Sequence, residues 1–276
     1  MRDTKFHKEW LKSVIVRVTS AEIRSNPVKL TLVILFQLIA PALLLADGLT
    51  DVRATLQKLQ SDQPLRARVE IKTRRQGGES DKQKQSQAIS TVIVENGPRG
   101  LTLNWPPDQI KQSRKAAWAE RANPDAPKSD LATLKALAGG EALSLLDAAD
   151  PLRRGLEKAV LQEDKHDNYQ GKSVRLLVIK VDLGLDEEER KALKSSEAIL
   201  KLWLDNEGVP LAMERDIQAR FSKFLIGFRV HEHETREFQR AGGGLVVTRA
   251  SKDSSGAGLG HSDESHSTTS VTLLTD

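Results

Sequence analysis

The sequence predicts a mostly β, α+β protein: a curved antiparallel half-barrel sheet with a helical insert covering its concave face. Three observations carry this. Segments that alternate apolar and polar residues recur on both sides of a different middle stretch. The connections between them are of hairpin length, which demands antiparallel pairing. The middle stretch, about 106–158, has helical spacing and helix punctuation instead. A sheet with this many strands must curl or close, and the helices then cover one face.

Residues 1–48 form an N-terminal extension ahead of the sheet. Leu30 to Ala46 (LTLVILFQLIAPALLLA) carries no charge and is flanked by Lys29 and Asp47. It is shorter than the about 20 apolar residues of a spanning helix, and it contains Gln37 and Pro41. It reads as the apolar core of an export signal, with small residues that suit cleavage after Ala46 or Gly48. The alternative is an uncleaved inner-membrane anchor formed by residues 30–46. Residues 1–27 are long for a basic leader flank, and translation starting at Val28 gives a compact signal.

The leader also sets the charge. The chain has 42 Lys and Arg against 38 Asp and Glu. Arg2, Lys5, Lys8, Lys12, Arg17, Arg24 and Lys29 precede residue 47, with only Asp3, Glu9 and Glu22 to oppose them. The chain beyond residue 46 is therefore formally neutral, and it lacks the clustered positive excess of a nucleic-acid binder. There is no cysteine, which removes disulfides, thiolate metal sites and cysteine nucleophiles.

Residues 49–276 read as one domain. Asp51 to Gln60 places Val52, Leu56 and Leu59 at helical spacing. Leu65 to Arg74 alternates as a half-buried strand, Gln76 to Gln87 is a polar hairpin loop, and Ala88 to Glu95 is a second strand. Asn96-Gly97-Pro98 turns the chain into a third strand, Gly100 to Trp105. Helices follow over Pro106 to Arg121, over Ser129 to Ala138 with Ser129 as cap, over Glu141 to Ala149, and from Asp150-Pro151, with Pro151 in the favoured first position.

Strands return at Val160 to His166 and Ser173 to Val181, joined by a turn at 167–171. Asp186 to Lys194 is a short helix whose acidic start and basic end suit its dipole. Glu197 to Leu204 is a strand, Asp205 to Gly208 a tight turn, and Val209 to Ile217 the return. Ala219 to Phe238 reads as one long strand with Phe224, Ile226, Phe228 and Val230 on one side. Leu245 to Ser251 and Thr268 to Leu274 complete the sheet, separated by a Gly/Ser/His loop from Lys252 to Ser267.

Two local patterns bear a likeness. Leu202-Trp203-Leu204-Asp205 followed by Gly208, Pro210 and Leu211, and Asn168-Tyr169-Gln170-Gly171-Lys172 before an apolar strand, resemble hairpins of the outer-membrane lipoprotein carrier superfamily. That resemblance implies a curved sheet around an apolar cavity and a lipid, acyl-chain or lipid-modified polypeptide ligand. On residues alone the same pattern fits either a cavity or a filled core.

Candidate ligand contacts are Trp105, Trp203, Phe224 and Phe228 on strands, Leu143, Leu145 and Leu146 in the helical cover, and Arg153 and Arg154 beside it for a headgroup. Each also has an ordinary structural role: strand packing, helix–sheet packing or a solvated helix face. His231 and His233, two apart on one strand, are the only residues that suggest a metal, and the charged residues around them suit a polar outer face equally. There is no Gly-x-Ser-x-Gly, phosphate loop or His-Glu-x-x-His. The expectation is a periplasmic, non-enzymatic carrier without a cofactor. The alternative is an envelope interaction protein with the same fold and a filled core.

Overall fold

The computed structural model describes residues 48–60, 63–79, 83–123, 137, 140–223 and 226–274. The apolar stretch 30–46 with its flanks, the helix expected over 129–138 apart from Leu137, and Phe224 lie outside them. Asp47–Asp276 is one compact unit by its internal contacts. Helix α1 (Gly48–Lys58) leads into strands β1 (Leu65–Glu79), β2 (Lys84–Gly97) and β3 (Gly100–Asn104). Helices α2 (Pro107–Ala122), α3 (Gly140–Leu146) and α4 (Ala149–Gly155) follow, then β4 (Val160–Tyr169), β5 (Lys172–Lys180) and the short helix α5 (Glu187–Ala192). Five strands finish the chain: β6 (Leu193–Leu204), β7 (Pro210–Lys223), β8 (Ile226–Ala241), β9 (Gly244–Gly258) and β10 (His261–Leu273).

All the strands join one antiparallel sheet in the order β3-β2-β1-β10-β9-β8-β7-β6-β5-β4. The last strand returns beside the first, so β3 and β4, neighbours in sequence, become the two edges of an open sheet. The chain between them supplies α2, α3 and α4, which is why the cover comes from the middle of the sequence.

Register shows which face is covered. Directly paired residues share a face, and Val69, Val92 and Val271 are so paired across β2, β1 and β10. Leu177 and Leu202 are paired in the same way across β5 and β6. All of them enter one buried cluster with Val52 and Leu56 of α1, Leu145 and Leu146 of α3, and Ala149 of α4. Each fully buried leucine there contributes about 1.5–3 kcal/mol. Arg53 of α1 donates to the carbonyls of Leu156 and Glu157, satisfying carbonyls at the end of α4. Near the start of α1, Asp51 is reached at 3.4 Å by Arg175 on β5, which also bonds Asp164 at 2.6 Å.

Three expectations about connections are corrected. The polar stretch 76–87 is largely strand: β1 runs to Glu79 and β2 starts at Lys84. The single long strand over 219–238 is two, β7 and β8, paired from Ala212–Glu237 to Lys223–Ile226. The Gly/Ser/His loop over 252–267 is the β9–β10 hairpin, turning only at Leu259 and Gly260. One physical reason serves the first and the third. The ladder of backbone hydrogen bonds continues past the end of the helical cover, where neither face has to be apolar. Composition then carries no period-2 signal. A smaller correction concerns Pro151, which sits third in α4 rather than first.

Candidate ligand-binding cleft on the concave face

A cleft of about 240 Å³ lies between α4, through Pro151, Leu152 and Gly155, and the strands β6 to β8. Its floor is Leu200, Met213, Ile217 and Phe238, with Val181 and Leu183 at the side. Alternation places these side chains: Leu200, Arg215 and Glu234 are aligned across β6, β7 and β8, as are Leu202, Met213 and Arg236.

One wall of the cleft is charged. Arg215 lies within 2.6 Å of both Glu232 and Glu234. Arg236 reaches Glu234 at 2.6 Å and Lys252 reaches Glu232 at 2.8 Å. Glu234 is only 4 % exposed, deep for a carboxylate, and two guanidinium groups compensate it. Its Oε2 meets Arg215 off the N–H direction, so that contact is ionic rather than a hydrogen bond. Burial alone pushes the Glu232 carboxyl up, but Lys252 and Arg215 outweigh it and hold the group below its ordinary value.

Beyond Ile217 the same face stays apolar. Ala219 is opposite Val230, and Phe221 is opposite Phe228. Phe228 and Val230 are 41 % and 42 % exposed. Gly258 is opposite Phe228, whose ring occupies the space a side chain there would need.

The residues expected at a site are dispersed. Trp105 packs partly buried against the main core. Leu145 and Leu146 are buried in that core, while Leu143 faces outward. Arg153 pairs with Asp150 and Glu157, and Arg154 pairs with Asp150, all within α4 and its end. Trp203 is aligned with Leu176 and Ala212 on the outer face. Its indole N–H donates to Asp167 at 2.9 Å and its ring sits 5.4 Å from Tyr169. That hydrogen bond is the main reason the Asp167 carboxyl is held below its ordinary value. Of the expected residues described, Phe228 alone is on the open apolar strip.

His231 and His233 are on the outer face with Asp216, whose Oδ2 lies 2.9 Å and 3.6 Å from them. Burial pushes the Asp216 carboxyl up, but hydrogen bonds from His231, Gln218 and His233 outweigh that and lower it. Among the described residues no group of three or more His, Cys, Asp or Glu is placed to hold a metal ion.

Sequence reasoning missed Leu200, Met213, Arg215, Glu234, Arg236 and Phe238. Their signal was alternation in Met213-Glu214-Arg215-Asp216-Ile217 and Glu234-Thr235-Arg236-Glu237-Phe238, where arginine and glutamate take inward positions and hide it. The fold and the cleft define a class: an open ten-stranded antiparallel sheet with helices on its concave face. Compared with known proteins, the sequence matches no protein family and no curated protein.

Proposed function

We propose that this protein is an exported, periplasmic and non-enzymatic carrier for a lipid, an acyl chain or a lipid-modified polypeptide, related in fold to the lipoprotein carrier superfamily. The cleft between α4 and the concave face carries the reading. Its volume, about 240 Å³, is just below the roughly 300–1,000 Å³ of ligand pockets. Beyond it, the exposed side chains of Val230 and Phe228 extend the apolar track along the sheet. An acyl chain laid there gains about 0.8 kcal/mol per buried methylene. The uncharged stretch 30–46 supports export, with anchoring by that stretch as the alternative.

A second reading, an envelope interaction protein, is supported by the filled core beneath the helices and by β2. Among the described residues, the part of β2 before Ile93 has no strand on its outer side, which suits strand addition by a partner.

The test is lipid extraction and native mass spectrometry of protein purified from cells, with uptake of a fluorescent fatty acid. The carrier predicts a reproducible lipid and saturable uptake. Gly155 lines the cleft and has open space where a side chain begins, so Gly155→Leu keeps the fold and blocks uptake. Lipid-free protein that takes up no probe sinks the carrier reading.

A further inference from the structure

The outer face of the long hairpins carries a second depression, separate from the concave cleft. Arg220 on β7 and Arg229 on β8 are directly opposite one another. Their row continues to Ser195 on β6 at one end, and through Ala257 on β9 to Ser262 on β10 at the other. Like charges in directly opposed positions destabilise a strand pair. Opposed charges elsewhere in this sheet are complementary, as in Arg66 with Glu95, Lys201 with Glu214 and Arg215 with Glu234. Among the described residues neither the Arg220 nor the Arg229 side chain has an ion-pair or hydrogen-bond partner. Both are exposed and both line a depression of about 650 Å³.

The adjoining row is of a different kind. Glu197, Gln218, His231, Ser255 and Glu264 are aligned across β6 to β10, and all line the same depression. Two carboxylates that only accept hydrogen bonds here flank an amide, an imidazole and a hydroxyl. The depression thus has a doubly cationic row about one residue pair away from a row of hydroxyl-binding groups.

We infer that this depression is a binding site for a phosphorylated sugar or polyol. The phosphoryl group bridges Arg220 and Arg229, whose planar forks suit bidentate contact with a tetrahedral oxyanion. The ligand's hydroxyls donate to Glu197 and Glu264 and accept from Gln218 and Ser255. The anion relieves the repulsion between the arginines.

Isothermal titration with glucose 6-phosphate at low ionic strength tests this. The expected result is saturable binding that salt weakens, that inorganic phosphate competes away, and that falls at least roughly tenfold in Arg220→Gln and in Arg229→Gln. Unphosphorylated glucose binds more weakly. Both variants remove one of two like charges from an exposed face, so neither lowers the unfolding midpoint, and Arg68→Gln on the outer face of β1 leaves binding unchanged. Absence of saturable binding, or equal binding by the Arg220→Gln/Arg229→Gln double variant, overturns the proposal. So does Arg220-dependent binding to anionic phospholipid vesicles, but not neutral ones, when glucose 6-phosphate fails to bind. That outcome would identify a lipid headgroup as the source of the phosphoryl group. Fatty-acid uptake by the concave cleft is unaffected by either arginine variant, which keeps the two sites experimentally apart.

Discussion

Arg215 on β7 stands directly opposite Glu234 on β8, and their side chains meet at 2.6 Å on the concave face. The contact marks a boundary. On one side Met213 and Phe238 continue the packed core, and on the other the apolar face runs on through Ile217, Ala219 and Val230. A buried carboxylate in this place is stable only while its guanidinium partners remain.

Replacing Glu234 with alanine therefore leaves Arg236 without its carboxylate and Arg215 with Glu232 alone. Breaking a buried pair costs about 3–5 kcal/mol. Arg215 keeps 34 % of its side-chain exposure and Arg236 keeps 22 %, so solvent offsets part of this. The expected loss is about 2–3 kcal/mol, read from urea unfolding as a lower midpoint with an unchanged slope. A loss below about 0.5 kcal/mol would mean that the Glu234 network contributes little to stability.

The core half of the sheet was legible in the sequence and the outer half was not. Ser173 to Val181 and Glu197 to Leu204 announce themselves because Leu177, Ile179, Leu200 and Leu202 must meet the helices. Lys252 to Ser267 gives no such signal. Its residues pair backbone to backbone along β9 and β10, and the cross-strand bond of 2.8 Å between Ser254 and Ser265 is open to polar side chains as readily as apolar contact is elsewhere. The site suffered the same fate. Arg215, Glu234 and Arg236 hold inward positions that a hydrophobic pattern cannot announce, while Trp203, the most conspicuous aromatic, faces outward to Asp167.

Acid sensitivity follows from Asp164. Its hydrogen bonds from Arg175 hold the carboxyl below the ordinary 3.8, against the opposing effect of partial burial. A carboxyl lowered on folding stabilises the protein above its unfolded pKa, and that contribution is lost as pH falls through the folded value. Stability is thus flat at neutral pH with respect to this group and declines below about pH 4. The Asp164→Asn variant loses about 1 kcal/mol at pH 7, a figure already reduced for solvent screening, and differs less from the parent at pH 2.5. Thermal unfolding across pH 2.5–7 checks both the size and the direction. A difference that grows on acidification would contradict the assignment.

Leu259 offers the opposite sign of effect. It is the first residue of the β9–β10 turn, with φ of 54°, and Gly260 follows with φ of 78°. Two consecutive positive φ angles match the type I′ turn that suits the twist of a two-residue hairpin. The hairpins at Gln170-Gly171 and Gly242-Gly243 use the same backbone. Glycine fits either position freely, whereas a leucine there costs about 1–2 kcal/mol against its Cβ. Leu259 recovers little of that by packing, since it is 66 % exposed. Asparagine tolerates the left-handed region and limits the unfolded chain more than glycine does. Leu259→Asn is therefore expected to raise stability by about 0.5–1 kcal/mol, with Leu259→Gly gaining less. Equilibrium unfolding of the two variants beside the parent measures this. Unchanged or lower stability in Leu259→Asn would show that the leucine is held by a contact and that the turn is not strained.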